Sequence, residues 1–175
     1  MILPMEGDDT TGWKPGKPTV FLNSAFAEQE PMFSADGRWL AYHSNESGRN
    51  EVYVRPFPGP GGKWQVSTTG GRFPTWSRTR RELFYTVGSG SAGQIMVASY
   101  TVEGDSFRAD KPRPWSEGRH INRRSYNPMF DLHPDGERFA IAPVPPESAE
   151  ATVHEKVVFI FNFFEELKRI APMKK

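Results

Sequence analysis

The feature that most constrains this chain is a short segment that occurs three times. The first copy includes Phe33-Ser-Ala-Asp-Gly-Arg-Trp-Leu-Ala-Tyr42, the second begins at Pro74, and the third surrounds Pro134-Asp-Gly136. Each copy has an apolar run, a polar turn and a second apolar run. Asp-Gly suits a tight turn, because Gly accepts positive φ and the Asp side chain can bond the local backbone. Each copy therefore predicts a β-hairpin, although Thr79-Arg80 replaces Asp-Gly in the second.

The strands around each hairpin extend the repeat to a four-stranded unit. In the first unit we predict strands over Pro31–Ser34, Arg38–His43, Glu51–Pro56 and Lys63–Ser67. Four antiparallel strands in about 40 residues make one blade of a β-propeller. The second strand alternates, with Trp39, Ala41 and His43 on one face and Leu40 and Tyr42 on the other.

The whole chain is expected to be all-β, a half propeller of about three four-stranded blades with a short C-terminal helix. The second unit repeats the order with strands at Phe73–Ser77, Glu82–Val87 and Gln94–Tyr100 and a weak outer segment within Ser106–Trp115. The third has Asn127–Leu132, Glu137–Ala142 and Lys156–Phe161. Its outer strand is missing, whereas Thr19–Asn23 is a spare strand at the start, preceded by a polar connection over Gly7–Pro18. The expected divisions are leading strands and loop 1–29, blades 30–68, 69–116 and 117–162, and helix 163–171.

Composition narrows the function classes. Lys and Arg number 22 against 21 Asp and Glu, a net charge of +1 that gives no reason to expect a nucleic-acid partner. No apolar run approaches the roughly 20 residues of a membrane span, so no membrane partner is expected. The N-terminus turns acidic at once and does not look like a signal peptide. We expect a cytoplasmic protein as encoded, or an extracytoplasmic one if this is a fragment of a longer chain.

Catalytic and metal-binding patterns are weak. Cys is absent, and His43, His120, His133 and His154 have no metal-ligand spacing, so no metal is expected. Gly88-Ser-Gly-Ser-Ala-Gly93 matches a dinucleotide fingerprint, but it joins two predicted antiparallel strands and not a strand and a helix. No cofactor is expected. Asp36 and Asp135 precede Gly and are interpreted as turn residues, not as paired catalytic acids.

The repeat resembles that of TolB-like, WD40-like (PD40) bacterial β-propellers, whose pattern is roughly Phe-Ser-Pro-Asp-Gly before a strand. Ala35 departs from the usual Pro, which Pro134 restores. The stretch from Asn45 to Thr68 and the ending Phe164-Glu-Glu-Leu-Lys168 are similar to the C-terminal propeller of some bacterial serine/threonine protein kinases. The resemblance covers nearly the whole chain. It carries over no kinase activity, because the kinase motifs are missing.

The resemblance implies a non-catalytic interaction scaffold, with partners on the loop face around a central channel. A protein or peptide ligand comes first and a small ligand second. The candidate residues on that face are Glu30, His43, Asn45, Arg49, Arg72, Arg124 and Tyr126. Converging arginines there could hold an anion or an acidic peptide, the alternative being solvated loop charges. The other functions left open are a propeller hydrolase or lyase with a channel site, and a sensor fragment of a receptor-like kinase.

Three blades leave two open flanks, because such propellers usually have six or more. We therefore predict a homodimer that closes a six-bladed ring, with an interface on the order of 2,000 Å² or more. The spare strand of each copy would complete the third blade of the other, through Thr19, Val20, Phe21, Leu22, Val157, Phe159 and Phe161. The alternative is a monomer whose N-terminal segment and C-terminal helix fold over the flanks.

Overall fold

The computed structural model describes residues 1–88, 93–117 and 130–141, all within the compact unit Met1–Val144. Every helix or strand assigned in these ranges is a β-strand, which confirms the all-β expectation for this part of the chain. These ranges contain no helix long and apolar enough to cross a membrane. The predicted helix at 163–171 and the predicted strand at Lys156–Phe161 lie outside the described residues.

Two antiparallel sheets follow a small N-terminal hairpin. The hairpin pairs β1 (Met5–Asp8) with β2 (Gly12–Pro15). The first sheet has the order β3-β4-β5-β6, formed by Glu28–Phe33, Trp39–Ser44, Glu51–Pro56 and Trp64–Gln65. The second has the order β7-β8-β9-β10, formed by Arg72–Trp76, Glu82–Val87, Gln94–Glu103 and Ser106–Ala109, and β11 (Arg113–Pro114) also pairs with β9. The strands of the first two predicted units are therefore confirmed in type and order.

The described part of the third unit forms an antiparallel hairpin, β12 (Phe130–Leu132) and β13 (Phe139–Ile141). All three repeated hairpins close in the same way: the N–H of the residue before the turn donates to the carbonyl five positions later. These pairs are Ser34 to Trp39, Ser77 to Glu82 and His133 to Arg138, at 2.9, 3.0 and 2.8 Å. The second copy therefore keeps the turn although it has lost Asp-Gly.

An aromatic core joins the first two sheets. Phe107 on β10 is 1% exposed, and its ring centroid lies 5.3 Å from that of Trp39, 6.0 Å from Trp76 and 5.0 Å from Tyr100. Tilted, edge-on and offset rings of this kind stabilise a core beyond the area that they bury. The face of β4 that carries Trp39 is thus the face that packs on the second sheet.

The second sheet lies between two layers. Leu83 and Tyr85 on β8 belong to the core shared with the first sheet, whereas Phe84 between them belongs to a second cluster with Phe130 and Phe139 of the third hairpin. The Phe84 and Phe139 ring centroids are 5.1 Å apart. Fully burying a Leu or Phe side chain, as at Leu83 and Phe84, contributes about 1.5–3 kcal/mol. The alternation along one central strand therefore orders the layers as first sheet, second sheet, third hairpin.

The other face of the first sheet is covered by the start of the chain. Leu40 and Tyr42, on the face opposite Trp39, are 4% and 3% exposed. They line a cavity of about 410 Å³ together with Phe21 and Leu22. The Phe21 ring also packs against Phe57 of the same chain, with centroids 5.6 Å apart. The N-terminal segment thus covers the face of the first sheet that is turned away from the second sheet.

The strand predicted at Thr19–Asn23 is wrong. Thr19 forms an isolated bridge with Ile2, and residues 20–23 form no strand in the described part of the chain. Conversely, the predicted connection over Gly7–Pro18 contains most of the β1–β2 hairpin. Strand propensity measures how side chains fit a pleated surface, and a strand also needs a neighbouring edge with free backbone groups.

Candidate functional site

The strands β3, β7 and β12, which precede the three repeated hairpins, border one cavity of about 420 Å³. Each repeated hairpin begins at Ser34, Ser77 or His133. The residues two positions earlier are Met32, Thr75 and Asp131, and those one position earlier are Phe33, Trp76 and Leu132. All six line this space. Three hairpin residues complete the lining: Ala35, Arg78 and His133. Equivalent positions of three consecutive repeats therefore meet at one place, which we call the inner cavity.

The wall between the first two sheets is fixed by two hydrogen bonds. The Phe73 N–H donates to Glu30 Oε2 at 2.9 Å, and the Trp76 indole N–H donates to the Met32 carbonyl at 2.9 Å. Both bonds join β3 to β7, which are edge strands of the first and second sheets. They hold the edges of neighbouring sheets together at the cavity.

Glu30 reaches the second sheet because its strand bulges. The register of β3 shifts between Gln29 and Met32, and that of β7 shifts between Arg72 and Thr75. Within the bulges Glu30 and Phe73 have φ of 56° and 55°, a region that L side chains enter at a cost. The two residues are 43 positions apart, the spacing of the first two repeats. The bulge thus occurs in both repeats, and in the first it places the Glu30 side chain between the two sheets.

His43 is buried at this junction. The residue is 0% exposed, and its Nδ1 lies 2.9 Å from Glu30 Oε2. The approach is not that of a well-aligned hydrogen bond, and neither ring nitrogen has such a bond among the described residues. The structure therefore places His43 and Glu30 together, inside the joint between two sheets, and His43 is not open to a ligand there.

Arg49 belongs to a network that anchors the loop after β4. Its Nε donates to Glu51 Oε1 at 2.8 Å and its Nη2 donates to the Thr68 carbonyl at 2.8 Å. Glu51 is 1% exposed and also accepts bonds from the Ser67 hydroxyl and the Gly70 N–H. A buried carboxylate needs several such partners. Arg49 is thereby part of the joint between β5 and the segment that leads into β7.

Asn45 and Arg72 are likewise engaged by their own chain. Asn45 Oδ1 accepts the Ala27 N–H at 2.9 Å. With the Asn50 amide oxygen turned towards the guanidinium, Arg72 Nε donates to it at 2.7 Å. The five predicted site residues in the described ranges thus contact other parts of their own chain, and the one ion-pair contact between two of them is that of Glu30 with His43. Arg124 and Tyr126 lie outside the described residues.

The predicted closure residues are also partly placed. Phe21 and Leu22 face the first sheet of their own chain, whereas Thr19 and Val20 are exposed, Val20 by 65%. Val157, Phe159 and Phe161 lie outside the described residues.

The second hairpin carries residues that sequence reasoning missed. A space of about 220 Å³ lies between the first and second hairpins, lined by Ala35, Asp36, Ser77, Arg78, Thr79, Arg80, Arg81 and Tyr100. Ala35 and Arg78 line both this space and the inner cavity. We call the two spaces together the hairpin groove. The available signal was the run Arg78-Thr-Arg-Arg81, which departs from the Asp-Gly turn of the other copies.

The charged side chains of the hairpin groove differ in whether neighbouring residues bind them. The Ser34 hydroxyl and the Arg38 N–H both donate to Asp36, and these bonds keep the pKa of that carboxyl below its usual range. Arg80 Nε lies 2.9 Å from Glu82 Oε2. Arg78 and Arg81 have no ion pair with any described residue. The groove therefore combines a partly apolar inner end with two guanidinium groups that have no ion pair among the described residues.

The described residues include no group of three or more His, Asp or Glu placed to hold a metal ion. Comparison of the chain with protein-family models and with curated proteins found no match.

Proposed function

We propose that this chain is a non-catalytic binding module of the TolB-like propeller type, whose three units are consecutive blades around a central channel. The observation that carries the proposal is the inner cavity, because equivalent residues of three repeats line it. The layer order set by β8 supports the same arrangement. Ligand sites are typically concave, largely apolar and equipped with a few polar groups. The hairpin groove has this character, whereas the expected binding residues that lie in the described ranges are engaged by their own chain.

Ala35 allows a matched test of this proposal. It is exposed and lines both parts of the groove, and its counterpart in the third copy is Pro134. Ala35→Trp should fill the groove, while Ala35→Pro should leave it open and keep the turn. Peptides selected from a random display library on the wild-type protein should bind Ala35→Pro equally and Ala35→Trp at least tenfold more weakly. Selected peptides that bind both variants alike would contradict the proposal.

We also propose that a second copy completes the ring, with the N-terminal segment as part of the interface. That segment leaves Leu3, Met5, Trp13 and Val20 exposed by 52%, 51%, 56% and 65%. Exposed apolar surface of this kind commonly marks a contact site. In this arrangement Phe21 stays on its own first sheet, and the exchange of a strand is not required.

Light scattering tests the assembly. The expected mass is twice 19.8 kDa, and Trp13→Asp should shift the population towards the single chain while the circular dichroism stays unchanged. A wild-type protein that remains a single chain at all concentrations would exclude the second copy, without bearing on the groove.

A further inference from the structure

The second hairpin does not need its arginines to form its turn. Ser77 and Glu82 make the same backbone bond as the other two copies, at 3.0 Å, and Ser77 Oγ accepts the Arg80 N–H at 3.1 Å. The first and third copies use Asp-Gly for the same turn. The side chains of Arg78 and Arg81 are therefore not explained by the local backbone.

Arg80, in contrast, has a structural role. Its guanidinium pairs with Glu82 and donates to the Gly136 carbonyl in the third hairpin. The Thr79 hydroxyl donates to the Asp135 carbonyl of the same hairpin at 2.9 Å. These contacts dock the second hairpin on the third. Arg78 and Arg81 flank this docking contact and remain without an ion pair within the described ranges.

The two ends of the groove differ in chemistry. At the inner end Met32 and Phe33 are each 45% exposed, which is high for large apolar residues beside a buried core. The carboxylates that line the groove are Asp36, bound by its own turn, and Asp131 on β12. Positive charge that has no ion pair within the described ranges thus lies on the second hairpin, next to the partly apolar inner cavity.

We propose that the hairpin groove binds a peptide segment in which an acidic residue neighbours an aromatic or aliphatic one. The ligand carboxylate lies between Arg78 and Arg81, where charge-assisted bonds to guanidinium are available. The apolar side chain enters the inner cavity and covers Met32 and Phe33. This inference rests on the proposed binding function and specifies the ligand of the same site.

The test uses three fluorescein-labelled peptides that differ at one position, with a Glu-Phe, Gln-Phe or Lys-Phe pair. Anisotropy titration of the wild-type protein should give the tightest binding with Glu-Phe. An ion pair of this exposure contributes up to about 1 kcal/mol, or roughly fivefold in affinity. Arg78→Gln and Arg81→Gln should each weaken Glu-Phe binding by about that factor and leave Gln-Phe binding unchanged. Arg108→Gln, an exposed arginine that does not line the groove, is the matched control.

Charge reversal makes the test sharper. The double variant Arg78→Glu/Arg81→Glu should reverse the order of the Glu-Phe and Lys-Phe peptides. Equal affinity for all three peptides, with library-selected peptides still blocked by Ala35→Trp, would overturn the acidic-ligand inference and leave the binding function standing. If Ala35→Trp affects no peptide, both proposals are wrong. Equal losses from Arg108→Gln and Arg78→Gln would also overturn the inference, because they indicate a general charge effect.

Discussion

Glu30 joins the first two sheets, and removing its side chain should destabilise the fold. In Glu30→Ala the Phe73 N–H loses its acceptor in a residue that is 7% exposed. Buried His43 at the same time loses the carboxylate 2.9 Å from its Nδ1. The left-handed φ at position 30 is unchanged, so the alanine variant gains no relief of backbone strain.

The size of the effect follows from these contacts. A hydrogen bond to a charged group contributes about 1.5–3 kcal/mol, and a buried donor without a partner costs a similar amount. The Glu30 side chain is 25% exposed, so water partly replaces it. We therefore expect Glu30→Ala to lower the free energy of unfolding by about 2–3 kcal/mol. Glu30→Gln keeps an oxygen for the Phe73 N–H and should lose about 1 kcal/mol.

Urea unfolding monitored by tryptophan fluorescence, at one fixed protein concentration, measures both variants. A lower midpoint with an unchanged m-value reports a loss of stability alone. Glu28→Ala is the matched control, because Glu28 lies on the same strand and its carboxylate accepts the exposed Ser24 hydroxyl at 2.6 Å. This variant should change stability by less than about 0.5 kcal/mol. If Glu30→Ala is as stable as Glu28→Ala, the joint between the sheets does not depend on this carboxylate.

Two further predictions concern the joints around the site. Gly71→Ala should lower the free energy of unfolding by about 1–3 kcal/mol, because the new Cβ would lie 2.6 Å from Ser67 Oγ and 2.9 Å from Val52 Cγ2. An unchanged urea midpoint would show that the segment relaxes freely. The Glu137 N–H bond lowers the pKa of Asp135 from 3.8 to about 2, so its carboxylate stabilises the third hairpin fully above pH 3.8 and ceases to do so as the pH falls towards 2. Hydrogen exchange of β12 and β13 should show this loss in the wild-type protein, whereas Asp135→Asn should abolish that pH dependence, and an identical dependence in the variant would refute the assignment.

The regular part of the fold could be predicted from the sequence because its signals are local. The alternation along β4 placed Trp39 and Tyr42 on opposite faces, and each does face a different layer. Asp36-Gly37 predicted its turn, and Gly37 has φ of 69° while Asp36 accepts the Arg38 N–H. Turn chemistry and period-2 patterning act within a few residues, so one chain is enough to identify them.

The N-terminal region could not be predicted in the same way. Thr19–Asn23 has the composition of a strand, yet Thr19 alone finds a partner, Ile2. The β1–β2 hairpin instead forms in a polar segment, where Asp8 Oδ1 accepts the Thr10 and Thr11 N–H groups at 2.9 and 2.7 Å. Which edge is available to a segment depends on the tertiary structure, and composition does not contain that information.

The candidate site could likewise be predicted only in part. The sequence predicts Arg72 as a ligand-binding residue, but with the Asn50 amide oxygen turned towards it the guanidinium is bound within its own chain. The sequence shows Thr79-Arg80 only as a turn that has lost Asp-Gly, and this interpretation does not single out the neighbouring Arg78 and Arg81, although both line the groove. Whether a surface charge is already paired depends on residues distant in sequence, which a repeat alignment within one chain cannot reveal.

Photo-crosslinking tests most directly the central claim that a ligand occupies the cavity shared by the three units. The photoreactive residue p-benzoylphenylalanine is placed at Met32, which lines the inner cavity, or at Phe26, which does not line it. The two side chains are 45% and 48% exposed, so general reactivity is matched. The labelled Glu-Phe peptide should crosslink at position 32 and not at position 26, and Ala35→Trp should suppress the product. Equal products at both positions, or a product at position 26 alone, would contradict the account.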